Sequence, residues 1–353
     1  MGFLESTRQN IRRAGRLDFA SAGQAQLPLP RVGYLSKIHI HVTGTMTVTL
    51  GGGTATLSEK GPWPLLRRVR YQIGSGTELF NTSGYGAFLV DLMSKLGYEA
   101  DDGQVSASFA SQIYNAPTAA GANAWDFHLT IPIVPNDRDL LGLILLQAEG
   151  TVTNLLLEWQ VPYGITQDFP VVVTGAATAA FTGRADIYLE TFTVPAELEN
   201  QAPLDRVHQV LEQVSYIGAV GDNTVKLLEE NTYLRILHSI EVNGLLDNDA
   251  LESMQFRYNV TDVPYDIDRQ MKLYLQRRDY VRDFPKGLFY WDFFNQGYPN
   301  YGGDRDLVMA SGLAELESIL RIASGTSLGS NNNVVRTITQ QLVKVSSPVA
   351  GAA

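Results

Sequence analysis

"YLSKIHIHVTGTMTVTL" (34–50) alternates without a break. Ile38, Ile40, Val42, Met46, Val48 and Leu50 fall on one face, and Lys37, His39, His41, Thr43, Thr45, Thr47 and Thr49 on the other. A period of two held over that length describes a strand with one buried and one wet face. Part of it returns later. In "YLRILHSIEVNG" (233–244), Ile240, Val242 and Gly244 stand 200 residues after Ile40, Val42 and Gly44.

Two further stretches recur in the same order. "VRYQI" (69–73) is echoed by "FRYNV" (256–260), Arg70 and Arg257 being 187 residues apart. "NDRDLL" (136–141) is echoed by "GDRDLV" (303–308), with Asp137 and Asp304 separated by 167. Each RY segment precedes a helical pattern: "GYGAFLVDLMSKLG" (84–97), with Phe88, Leu89, Leu92 and Leu96 at helical spacing, and "DIDRQMKLYLQ" (266–276), with Asp266 placed as an N-cap. Three short matches in one order indicate an internal duplication. The shrinking separations put shorter loops in the second copy, where length changes at little entropic cost.

The expected fold is all-β with a few short helices, arranged as two tandem jelly-roll sandwiches. The expected boundaries are a basic N-terminal arm at 1–25, a first roll at 26–195, a second roll at 196–346 and a flexible tail at 347–353. The seam falls in "VPAELENQAPLD" (194–205).

Composition agrees. A chain of 353 residues that is 44% apolar and only 18% charged, with 32 glycines and 15 prolines, suits two turn-rich cores. A net charge of −10 argues against direct binding to nucleic acid. The absence of cysteine excludes disulfide scaffolds and thiolate chemistry. "MGFLESTRQNIRRAGR" (1–16) has no apolar run of the secretory kind, so a soluble, unprocessed chain is expected.

No stretch concentrates catalytic groups. His39 and His41 form an H-x-H pair without an apparent third ligand, on a face otherwise made of threonine and lysine; they read as polar strand residues. His128, His208 and His238 stand singly in apolar surroundings. Asp137, Arg138 and Asp139, with Asp304, Arg305 and Asp306, resemble a hydrolase carboxylate pair only superficially, because capping and local ion pairing explain both copies. The expectation is therefore no catalytic residue, no metal and no cofactor.

Two segments remain as candidates for contact. "LFYWDFFNQGYPNY" (288–301) is either a doubly buried strand, a subunit interface that would use Trp291 and Phe293, or a sugar-stacking platform. Arg8, Arg12, Arg13 and Arg16 mark either a solvated helix or an arm that meets an anionic membrane or an acidic partner.

"LPLPRVGYLSKIHIHVTG" (27–44), "GPWPLLRRVRYQIGSGTELF" (61–80) with its following helix, and the doubled layout over about 20–346 resemble the double jelly-roll major capsid proteins of tailless icosahedral viruses of the tectivirus and adenovirus lineage, bacteriophages with an internal membrane among them. The resemblance implies a structural protein of the virion, made in the host cytoplasm, and no enzyme. It implies a homotrimer whose six rolls give a pseudo-hexagonal capsomer that packs against neighbouring capsomers, with an apolar-centred interface above about 2,000 Å². It further implies an N-terminal arm turned toward an inner viral membrane, and minor capsid or penton proteins as partners. The alternative is a carbohydrate-active enzyme or glycan-binding protein on a two-sandwich scaffold.

Overall fold

In the computed structural model the alternating stretch is a strand of 16 residues, Tyr34–Thr49, with its even-numbered apolar residues buried. The structure describes residues 7–19, 22–74, 77–94, 100–101, 104–105, 114–135, 142–147, 153–193, 206–229, 231–259, 262–280, 284–294, 308–310, 315–329 and 332–344.

The first half runs β1 (Gln9–Phe19), β2 (Gly23–Pro28), β3 (Tyr34–Thr49), β4 (Leu66–Ile73), β5 (Thr77–Thr82), α1 (Gly84–Ser94), β6 (Gly121–Pro132), β7 (Asn154–Trp159) and β8 (Thr178–Phe192). The second runs β9 (Arg206–Tyr216), β10 (Gly221–Lys226), β11 (Thr232–Val242), β12 (Leu251–Tyr258), β13 (Asp262–Asp268), α2 (Arg269–Tyr280), β14 (Leu288–Asp292), β15 (Leu316–Ile322) and β16 (Val334–Lys344). The first half packs a β1-β8-β3-β6 sheet against β2-β7-β4-β5; the second packs β9-β16-β11-β14 against β10-β15-β12-β13. Adding eight to every strand number turns one half into the other, and each order is that of a jelly roll.

The echoes occupy equivalent places. Ile40 lies on β3 opposite Ile187 of β8, Ile240 on β11 opposite Val335 of β16, and both are fully buried. The RY pairs fall on β4 and β12. The third echo, at Asp137 and Asp304, lies outside the described residues.

The glycine echo diverges. Gly44 sits within β3 facing Gly183, where a Cβ would come 2.5 Å from the Thr182 carbonyl oxygen and 2.6 Å from the Phe181 ring. Gly244 instead takes φ +78° after Asn243 at +53°, the Asn-Gly turn that folds Leu245 back against Val242.

Each roll has its own apolar cluster. In the first, Phe19 stacks on Trp159 at 4.4 Å and Trp63 on Phe88 at 3.6 Å. In the second, Phe256, Tyr265, Trp291 and Phe293 converge with centroids 5.2–6.4 Å apart.

The arm expected at 1–25 is not separate from the roll over its described part. From Gln9 it is β1, an edge strand paired antiparallel to β8, and from Gly23 it is β2, paired to β7. Leu17 and Phe19 anchor β1 in the core, and a bulge between Arg13 and Gly15 breaks the alternation that would mark it as a strand.

The rolls meet side by side. β5 and β9 pair in parallel at Phe80–Val210 and Asn81–Leu211, which joins strands of both halves into one sheet of 10. Val210, Leu237, Leu288, Tyr290 and Ile338, on the face of the β9-β16-β11-β14 sheet that turns away from its own core, belong to the first roll's apolar cluster. Helix α1 belongs to the same cluster, and residues 84–93 are buried on every side of it.

Ile40→Ala and Ile240→Ala should each cost about 2–5 kcal/mol. Because the two residues occupy different cores, the costs should add in the double variant. Urea denaturation measures this, and a coupling above about 1 kcal/mol would contradict separate cores.

Candidate functional site

Two faces of the molecule stand out. The first is the joint between the rolls. At its edge Lys60, brought by the loop after β3, donates to Asp168 at 2.7 Å and to Glu241 of β11 at 2.8 Å. Arg336 of β16 donates to the same two carboxylates, each at 2.7 Å, and reaches Glu212 of β9 at 3.5 Å. Glu212 also accepts the Ser83 hydroxyl at 3.1 Å, from the first roll. Lys60 and Glu241 are 2% and 1% exposed, so water does little to screen the pair. Burial opposes ionisation of Asp168, but the Lys60 and Arg336 charges outweigh it and hold the carboxyl below its ordinary range. A cavity of about 260 Å³ opens beside this cluster, between Lys60, Ser83, Tyr85, Gln160, Asp168 and Arg336.

The second is the outer face of the β1-β8-β3-β6 sheet, the first roll's counterpart of the face just described. Where the second roll has Leu237 and Ile338 at the joint, this face has polar and charged groups. Asp186 of β8 is held by Arg13, by Arg16 at 3.2 Å and by Arg184 at 3.2 Å. Burial opposes its charge, yet hydrogen bonding from Arg16 and Arg184 and the Arg13 charge keep its pKa low. Glu190 accepts from Gln9 at 2.6 Å and lies 3.3 Å from His39; that histidine bond is the main cause of its lowered pKa. Further along, His41 lies 2.8 Å from Asp126 and stacks on His128.

The predicted contact residues are thus placed. Arg13 and Arg16 spend their charge on Asp186; Arg8 and Arg12 are exposed, and among the described residues neither has a carboxylate partner. Trp291 and Phe293 are 3% and 2% exposed in the second roll's own core, so they are not available to a neighbouring subunit. Asp137, Arg138, Asp139, Asp304, Arg305 and Asp306 lie outside the described residues. The joint's ion cluster was missed because its five side chains come from five separate segments with no spacing in common.

His238 closes a buried relay. The Trp291 indole donates to Ser318 Oγ at 3.1 Å, Ser318 Oγ lies 2.9 Å from His238 Nε2, and His238 Nδ1 lies 3.0 Å from Thr337 Oγ1. An indole only donates, so Ser318 Oγ accepts from Trp291 and keeps both a hydrogen and a lone pair with which to meet Nε2. Burial, followed by the Lys272 charge, pushes His238 down to about 3; burial, followed by the Arg235 charge, pushes His208 down to about 4.

No family model matches the sequence, and no curated protein does. Solved structures match over nearly the whole length. The major capsid protein of STIV gives a TM-score of 0.71 at 12% identity, covering 96% of this chain and 97% of that one. The fold is the double jelly roll. VP54 of PBCV-1 gives 0.65 at 9% identity over 95% and 93% of the two chains, and the major capsid protein of bacteriophage PM2 gives 0.54 at 8% over 97% and 99%. That fold is thus shared with capsid proteins only 8–12% identical to this chain.

Removing one partner from the buried cluster should be costly. Glu241→Gln is expected to destabilise the chain by about 3–5 kcal/mol, and replacing Lys60 and Glu241 together by methionine should recover part of that loss. Denaturant midpoints of the three proteins measure it.

Acid should also weaken the fold, beginning above the carboxylate range. His208 and His238 have folded pKa values below the ordinary 6.5, so the unfolded chain takes up their protons first. Their contribution is complete above about pH 6.5 and falls as pH drops toward about 4 for His208 and about 3 for His238, the loss reaching about 2 kcal/mol each by pH 5. A urea midpoint unchanged between pH 7 and pH 5 would contradict this.

Proposed function

We propose that the chain is the major capsid protein of an icosahedral virion, a homotrimer forming pseudo-hexagonal capsomers. The observation that carries this reading is the doubled eight-strand order, which over almost its full length is the fold of viral capsid proteins. Its partners are copies of itself and neighbouring capsomers.

The internal joint supports a head-to-tail ring. Inside the chain, the outer face of the second roll sits on α1 and β5 of the first. The second roll offers its own version of that seat at β13 and α2, where Val263, Met271 and Tyr274 are 39%, 47% and 60% exposed. The first roll offers its own outer sheet face. Three chains that repeat the internal contact between molecules would close a ring of six rolls.

The difference between α1 and α2 fits this arrangement. α1 is buried over residues 84–93 and apolar there apart from Asp91, as suits a helix inside a permanent joint; α2 exposes Gln270, Tyr274, Arg277 and Arg278, as suits one that meets water before assembly. The glycan-binding alternative loses the described part of its stacking platform, since Phe289, Tyr290, Trp291, Phe293 and Phe294 are all buried, while Tyr298 and Tyr301 lie outside the described residues.

Native mass spectrometry should find three times 38.8 kDa across a wide dilution range. A stable monomer at micromolar concentration would overturn the proposal. Tyr274→Glu, at an exposed position, should dissociate the trimer while leaving the far-UV circular dichroism spectrum unchanged.

A further inference from the structure

His41 of the H-x-H pair has a second and a third donor beside it that only the fold reveals. β6 runs antiparallel to β3 with His128 directly opposite His41 and Asp126 opposite Thr43. Strand alternation puts Asp126, two residues before His128, on the same outer face. The two imidazoles stack with centroids 4.2 Å apart and planes at 5°. His41 Nε2 lies 2.8 Å from Asp126 Oδ1, and His128 Nδ1 lies 3.9 Å from the same oxygen. One ligand atom from each residue falls within 4.8 Å of the others.

We propose that His41, Asp126 and His128 bind a divalent transition-metal ion of the zinc class on the outer face of the first roll. Two imidazole nitrogens and one carboxylate oxygen suit zinc and its neighbours, whereas calcium and magnesium prefer oxygen alone. Zinc bonds of about 2.0–2.1 Å to nitrogen and oxygen require ligand atoms about 3.4 Å apart in a tetrahedron. Because each nitrogen lone pair lies in its own ring plane, the two imidazoles must turn out of their parallel stack to share one ion, and the 29%, 50% and 51% exposure of His41, Asp126 and His128 leaves room for that turn. The same exposure leaves the fourth position to water. A surface ion pair alone would need only His41 and Asp126 and would be worth about 0–1 kcal/mol. It makes no use of His128, whose Nδ1 lies 3.9 Å from the same carboxylate oxygen.

His39 supplies an internal control. It shares the strand face, but its nitrogens lie 3.2 Å from Thr130 Oγ1 and 3.3 Å from Glu190 Oε2, and no second imidazole faces it. The proposal does not depend on assembly into a capsid.

Isothermal titration of the tag-free full-length chain with zinc chloride, in a non-chelating buffer at pH 7.5, tests it. One ion per chain is expected, with affinity reduced at least tenfold in His41→Ala, Asp126→Asn and His128→Ala and unchanged in His39→Ala. Zinc should raise the melting temperature of the wild type but not of His128→Ala, and the metal-free melting curves show that each variant folds. Absence of saturable binding below 1 mM zinc, taken as roughly the weakest affinity a built site would show, overturns the proposal. So does a His128→Ala variant that binds as the wild type does.

Discussion

Everything else in the chain depends on one sheet face being covered by another domain. A jelly roll ordinarily leaves the outer faces of its sheets to water, yet the β9-β16-β11-β14 sheet of the second roll is covered on both faces. Val210, Leu237, Leu288, Tyr290 and Ile338 bury their side chains against the first roll. At about 1.5–3 kcal/mol per fully buried large side chain, that contact dominates the joint. The Lys60, Glu241 and Arg336 cluster at its edge contributes differently. Desolvating those charges offsets much of their attraction, so they matter by penalising any docking that leaves one of them unpaired. Apolar burial makes the joint stable, and the ions fix its register.

How much of this could be read in advance depended on whether the information was local. β3 and β11 announce themselves because alternation is a property of consecutive residues, and the RY echo could be aligned because both copies kept it. β1 was misread because its bulge interrupts the alternation and its arginines face outward, so an edge strand looks like a charged arm. Trp291 and Phe293 were ambiguous for another reason: a core and an interface demand the same residue types, and only the neighbours Phe256 and Tyr265 distinguish them. The His41, Asp126 and His128 group was out of reach, since it exists only through the register of β3 against β6.

The two halves have kept their topology and diverged in their surfaces. Counting from Ile40 and Ile240, the outward positions Lys37, His39 and His41 correspond to Leu237, Ser239 and Glu241. The first set meets solvent and the second lies buried in the joint. One fold therefore presents a wet face and a dry face at equivalent sites, and the chain has a direction that two identical rolls would lack.

The buried helix α1 has a consequence for how the protein is made. Synthesis delivers the first roll before the second, and domains tend to fold as they emerge. Until β9, β11 and β16 arrive, the apolar surface around α1 that they will cover is open to solvent, and a half-made chain exposes a patch prone to stick to others like itself. The ribosome must add more than a hundred further residues, at about 5–20 per second, before that surface is closed. A nascent chain with its first roll complete is thus the most vulnerable species in the life of the molecule, and slow translation of the second half would prolong that exposure.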